Sequence, residues 1–220
     1  MKHILHIDTS TDTAVVAISG DGQMLKSATN QEARNHASTI NSMVEQVLQE
    51  LQLSLNSLSA ISVVGGPGSY TGLRIGLATA KGFCYALDIP LLQHNKLEIL
   101  AYQEMEHTNH TVCGAMIAAR HDEYFFGLYD KEHILVEPEH VMADKLFNTL
   151  YNYNIQLRIV GIFNEEKFKN CKFSNVEFNE NQEINLDFWL KYTFKKYNSN
   201  NFVNLSSAEP FYLKQVYTHK

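Results

Sequence analysis

The sequence predicts an α/β protein in which one order of elements is laid down twice: three strands, a helix, a strand and a helix. Three observations carry that expectation. Residues 3–29 alternate short β-branched runs with turn chemistry, as an antiparallel meander does. An apolar stripe at helical spacing follows, then a β-branched run that breaks into glycines and a second helix. From residue 111 a comparable succession begins again, with no residue-level repeat beneath it.

In the first half, Ile4, Leu5 and Ile7 open a strand, "STDT" turns the chain, and "AVVAIS" returns as a second strand. "GDG" at 20–22 marks a hairpin, because Asp and Gly tolerate the positive φ of a tight turn, and "QMLKSAT" is the third strand. Ile40, Met43, Val44, Val47, Leu48 and Leu51 fall on one face of a helix expected from His36 to Leu53. "AISVVGG" is a strand, "SYTGLRIGLATAKGFCYAL" a helix, and "IPLLQ" a short strand entered through Pro90.

In the second half, "TVCGAMIAAR", "YFFGLYD" and "ILVEPEHV" read as three strands, "ADKLFNTLYNY" as a helix and "LRIVGIF" as a strand. "INLDFWLKYTFKKY" is a helix with Leu186, Trp189, Leu190 and Thr193 on one face. Residues 164–183 are polar and irregular, with one strand at Val176–Phe178. A Ser/Asn-rich linker leads to "EPFYLKQVY", aromatic enough to dock on a core. The expected division is 1–95, 96–205 for a divergent second unit, and 206–220 for a segment docking back on the first. Two mixed sheets with helices outside match the duplicated ribonuclease-H-like plan of actin, sugar kinases and Hsp70 (the actin-like ATPase superfamily, or ASKHA fold). In that class the first hairpin, here Asp8 to Thr13, faces a nucleotide's phosphates; this is analogy of fold alone.

Bulk properties narrow the function. The chain has 220 residues, 45% of them hydrophobic, enough for one large or two small cores. A net charge of −6 repels phosphate backbones and disfavours a stand-alone nucleic-acid reader. Cys84, Cys113 and Cys171 lack CxxC spacing, so neither a disulfide framework nor a zinc site is expected. The apolar run before Asp8 is too short for a signal peptide, and no stretch approaches the ~18 apolar residues of a membrane helix. A cytoplasmic location is the expectation.

The loop "VVGGPGSYTGLRIG" at 63–76 is the densest signal. It is no Walker loop, since no Lys-Ser or Lys-Thr follows its glycines. It is no nucleophile elbow, since Pro67 and Thr71 stand where glycines must flank Ser69. What remains is geometry: a stiff corner, with Ser69 or Thr71 capping a helix. Beyond it Gly72, Gly76 and Ala80 line one face with almost no side chain, so that another element can come close. Two readings stay open for that element: a helix of the same chain, or a partner's helix in a four-helix bundle with the apolar helix at 40–51. Arg74 and Lys81 share another face, as a solvated basic stripe or a contact to an acidic partner or RNA.

"ILHIDTSTDTAVVAI", the histidine in "RNHASTI", "VVGGPGSYTGLRIGLATAKGF" and "EPFYLK" together resemble the TsaB (YeaZ) family, strongly over residues 1–95 and patchily beyond. Ala118 stands where that family usually has aspartate, and "VGIFNEEKF" only loosely resembles its glycine-rich turn. The resemblance implies an accessory protein, not the catalyst, in forming N6-threonylcarbamoyladenosine next to the anticodon of tRNAs reading ANN codons. It implies pairing with a TsaD-type catalytic subunit that carries a metal, joined by a TsaE-type ATPase. ATP and metal then belong to the partners, tRNA is met only through the complex, and self-association uses the same face. The implied interface comprises His36, Ile40, Met43, Val44, Val47, Ser69, Tyr70, Thr71, Gly72, Arg74, Ile75, Gly76, Thr79, Ala80 and Phe83. Asp8 to Thr11 then form a vestigial phosphate hairpin.

The residues themselves fit a chain without a metal centre. His36 is followed four residues later by Ile40, so an i, i+4 histidine pair is lacking, and His3 and His6 point to opposite faces of a strand. Two alternatives stand beside the accessory reading. An independent actin-like ATPase or small-molecule kinase needs an acidic second hairpin near 118–123 and a glycine-rich loop near 161, against which Ala118 and the single Gly161 argue. A metalloprotease needs a His-Glu-x-x-His that the chain lacks.

Overall fold

The computed structural model describes residues 1–32, 35–153, 155–168, 175–180 and 183–213; Arg34, Cys171 and the closing residues 214–220 lie outside them. Along the chain run β1 (His3–Asp8), β2 (Ala14–Gly20), β3 (Gln23–Asn30), α1 (His36–Glu50), β4 (Leu58–Gly66), α2 (Tyr70–Leu87) and β5 (Leu91–Asn95). Then come α3 (Lys96–His107), β6 (Val112–Ala118), β7 (Glu123–Asp130), β8 (Ile134–Met142), α4 (Ala143–Tyr151), β9 (Leu157–Ile162), β10 (Val176–Glu180) and α5 (Leu186–Asn198). Among the described residues, one unit holds those of 1–95 and 186–211, the other those of 96–185 with Tyr212 and Leu213.

In the first unit the strands lie in the order β3-β2-β1-β4-β5. β1 runs antiparallel to β2, with Leu5 opposite Ile18, and parallel to β4, with Leu5 opposite Ile61. The two-residue period of a strand then divides the side chains. Leu5, Ile7, Val16, Ile18, Ile61 and Val63 face α1 and α2, where Ile40, Val44, Val47, Leu77 and Ala80 complete a core. Ile4, Ala60 and Leu92 face the other way, against Phe194, Tyr197 and Phe202.

In the second unit the order is β8-β7-β6-β9-β10, the same arrangement in the same chain order. Met116, Tyr124, Phe126, Leu128, Ile159 and Phe168 fill one core, and Leu97, Leu100, Cys113, Tyr129 and Val160 another. Gly161 sits at φ 136°, where a Cβ would lie 2.0 Å from the Met116 carbonyl oxygen. Its role is close approach of β9 to β6. Arg158 joins the nearly buried Glu104 (2.9 Å) and the exposed Glu177 (2.8 Å).

The duplicated ribonuclease-H-like plan is thus present, with three differences from the sequence reading. α1 stops at Glu50, because Leu51 caps it and Gln52 takes a positive φ. α3 was not expected: it begins directly after β5 without a turn signal, and buries Gln103 and Glu104 beside its leucines. Gln103 is held by the Glu183 carbonyl and the Asn185 N–H, so its burial is compensated. α5, assigned by sequence to the second unit, packs on the first sheet, because its aromatic face meets Ile4, Ala60 and Leu92. No described helix is long and apolar enough to cross a membrane.

Candidate partner interface

The glycine loop and the first hairpin are built for each other. A Cβ on Gly68 would lie 2.3 Å from the Ser10 carbonyl oxygen, and one on Gly72 would lie 2.0 Å from that of Thr9. One on Gly76 would meet Thr9 Oγ1 at 2.3 Å. Glycine at these three positions lets α2 settle directly on the turn after β1. The contact is also hydrogen-bonded: Thr9 Oγ1 donates to the Gly72 carbonyl at 2.7 Å, and the Ser69 N–H donates to the Ser10 carbonyl at 2.8 Å. Ser69 Oγ caps α2 by accepting from the Gly72 N–H at 3.3 Å. Ser69→Ala is expected to cost about 1 kcal/mol, the usual worth of such a cap, read as a lower urea midpoint.

This overturns one expectation. The stripe turns inward on its own chain: Gly72 and Gly76 rest against the end of β1 and the first hairpin, and Ala80 is buried in the core shared with Ile40, Val44 and Val47 of α1. The apolar stripe of α1 is likewise occupied, with Ile40, Met43, Val44 and Val47 buried against the first sheet. His36 is buried as well, its Nε2 2.9 Å from the Thr11 carbonyl. The hairpin residues brace the turn: Asp8 Oδ1 accepts from the Ser10 N–H at 2.8 Å, and Thr11 Oγ1 donates to the Thr13 carbonyl at 3.0 Å. The two basic residues of α2 part ways: Arg74 stays exposed, while Lys81 is half-buried and bonded to the chain. Arg74 lies over the Tyr70 ring at 4.2 Å, and Lys81 Nζ donates to the Ala208 carbonyl at 3.0 Å. Lys81 thereby helps to hold the segment from Val203 to Phe211, which also bonds through Gln93 to Glu209 and through Phe211 to Gly65.

Of the residues assigned to an interface, Ser69, Tyr70, Thr71 and Arg74 are exposed, and Ile75, Thr79 and Phe83 are half-buried. Thr71 belongs to an outward face whose other members, Ala78 and Gly82, the sequence reading passed over. Thr71, Ala78 and Gly82, seven and four apart, stack along the outside of α2, and all three are exposed. Nothing lies within 4 Å of a Cβ built on Gly82. Tyr85 stands at the edge of this line, 85% exposed, a large apolar ring in open solvent. The helix therefore carries two lines of small residues, one turned to its own sheet and one outward. The outward face of α1 is polar by contrast, with Ser38, Ser42, Glu45, Gln46 and Gln49 exposed.

The family described as "TsaD: tRNA N6-adenosine threonylcarbamoyltransferase" matches residues 24–191. The Haemophilus influenzae "tRNA threonylcarbamoyladenosine biosynthesis protein TsaB" is 26% identical, over 99% of this chain and 95% of its own length. The chain belongs to the TsaB (YeaZ) family. Bacillus subtilis TsaB is 32% identical over 61% of the chain and 58% of the relative. The solved structure of YeaZ from Pseudomonas aeruginosa superposes with a TM-score of 0.78 at 24% identity, covering 97% of this chain and all of that one. The protein is thus a TsaB homologue, and the relatives it resembles are described as tRNA threonylcarbamoyladenosine biosynthesis proteins. Among the described residues no group of three His, Cys, Asp or Glu side chains is placed to hold a metal ion.

Proposed function

We propose that this TsaB homologue is the accessory subunit of the tRNA threonylcarbamoyladenosine machinery, pairing with a TsaD-type catalytic subunit through the outward face of α2. The observation that carries the reading is the line of Thr71, Ala78 and Gly82 beside Tyr85. Small residues let a facing helix approach closely, and an exposed tyrosine beside them supplies the aromatic anchor that interfaces favour. A TsaE-type ATPase joins the pair, ATP and metal reside on the partners, and tRNA is met through the assembled complex. Two copies of the chain use the same α2 face to self-associate. The protein works in the cytoplasm.

Mixing the purified chain with its cognate catalytic subunit on a sizing column tests the reading. A single earlier peak containing both chains is expected, with ATP turnover by the lone chain at background. Separate elution at micromolar concentration overturns the pairing. Metal-dependent ATP turnover by the chain alone returns the kinase alternative.

A further inference from the structure

Between α5 and the first sheet lies a sealed seam that is polar where the rest of that interface is apolar. His6 of β1 and His94 of β5 are fully buried there. Both rings stand nearly perpendicular to the indole of Trp189, at 5.2 and 6.4 Å between centroids. His6 Nε2 lies 2.9 Å from Ser19 Oγ, and His94 Nε2 lies 3.1 Å from Thr193 Oγ1, which also meets Ser62 Oγ at 3.4 Å. Nδ1 of each histidine and Nε1 of Trp189 are buried without a hydrogen-bond partner. Such groups weaken a seat that burial otherwise favours. The apolar part of this seat is small, Ile4, Ala60 and Leu92, while the larger core lies on the opposite face of the sheet.

We propose that the seat of α5 is an acid-released latch: protons taken up by His6 and His94 expel Trp189 and its helix from the first sheet. The groups facing the rings offer a cation little compensation. From β2 and β4 come the hydroxyls Ser19 and Ser62. From α5 come Thr193, Tyr192 and the cationic Lys196, whose ammonium lies over the Tyr192 ring. Asp8 shares its side of β1 with His6, and its Oδ1 accepts from the Ser10 N–H. Lys26 of β3 lies on the other side of the sheet, paired with Glu50 of α1. Burial holds His6 down at about 3. Burial, then Lys196, then His6 hold His94 well below the ordinary imidazole value. Freed from the seam, both rings titrate near 6.5. The released state therefore binds more protons between those values, and the docked state loses ground as pH falls through that window. Each pH unit below 6.5 shifts the balance up to about tenfold per histidine.

Trp189 is the chain's single tryptophan, so its emission reports the latch directly. Titrating the full chain from pH 8 to 4 is expected to red-shift that emission while far-UV circular dichroism stays largely native. The double variant His6→Gln, His94→Gln keeps amides for the hydroxyls and is expected to move the midpoint at least one pH unit lower. Should that variant fail to fold, amide exchange on the natural chain at pH 5.0 and 7.5, corrected for intrinsic rates, replaces it. The amides of α5 are then expected to lose at least tenfold protection relative to those of α1. Emission moving in step with circular dichroism, an unchanged midpoint in the variant, or equal loss of protection in α1 and α5 overturns the latch.

Discussion

Gly72→Ala lowers the stability of the first unit by about 1–3 kcal/mol, although helix propensity alone argues for a gain of about 1 kcal/mol. The methyl would sit 2.0 Å from the Thr9 carbonyl oxygen, a backbone atom in the turn that closes β1. That turn cannot simply retreat. Thr9 Oγ1 donates to the Gly72 carbonyl, and the Ser69 N–H holds the Ser10 carbonyl, so relief of the clash breaks bonds in a buried contact. Gly82→Ala in the same helix has the opposite sign, because nothing lies within 4 Å of its Cβ. It stabilises by about 0.5–1 kcal/mol, from the backbone entropy that glycine gives up in a helix. Urea unfolding of both variants beside the natural chain checks the pair. A Gly72→Ala midpoint equal to or above the natural one means that α2 does not rest on this turn. Gly76→Leu also acts through the fold, since its Cβ points at Thr9 Oγ1. Lost assembly in that variant says nothing about a partner.

Those glycines separate what the sequence discloses from what it withholds. Periodicity is local, so α1 was legible from Ile40, Met43, Val44 and Val47, all of which are buried. The hairpin at Asp21 and Gly22 was legible because only a few residues accept its positive φ, and both take it. The doubled plan followed from the order of elements, and β3-β2-β1-β4-β5 recurs as β8-β7-β6-β9-β10. A line of small residues is a weaker message. It says that something comes close, not what, and for Gly72 and Gly76 the neighbour is Thr9, more than sixty positions earlier. Of the outward line only Thr71 was named from sequence, because Ala78 and Gly82 look ordinary until the inner face is known. α3 was missed because no breaker separates it from β5, and because Gln103 and Glu104 on its buried side blur the stripe. Their partners, Asn185 and Arg158, lie more than fifty residues away and cannot be read from the helix itself.

Ala78→Arg abolishes pairing with the TsaD-type subunit at micromolar concentration while leaving the isolated chain folded. Ala78 is exposed near the middle of α2, and arginine is a good helix former, so the free chain accommodates it. In a complex seated on Thr71, Ala78 and Gly82, the long side chain holds the facing helix away or buries an unpaired cation. A penalty of about 3 kcal/mol is expected, on the order of 100-fold in Kd, as for residues at the centre of an interface. Ala78→Ser adds one oxygen and keeps the line small, so it retains the complex. Tyr85→Ala removes the ring that stands 85% exposed and weakens binding by a smaller factor, without loss of stability in the free chain. Titration calorimetry on the three variants gives the order directly. If Ala78→Arg binds as well as Ala78→Ser, the partner sits elsewhere on the chain, and the exposed line on α2 is only a solvated helix face.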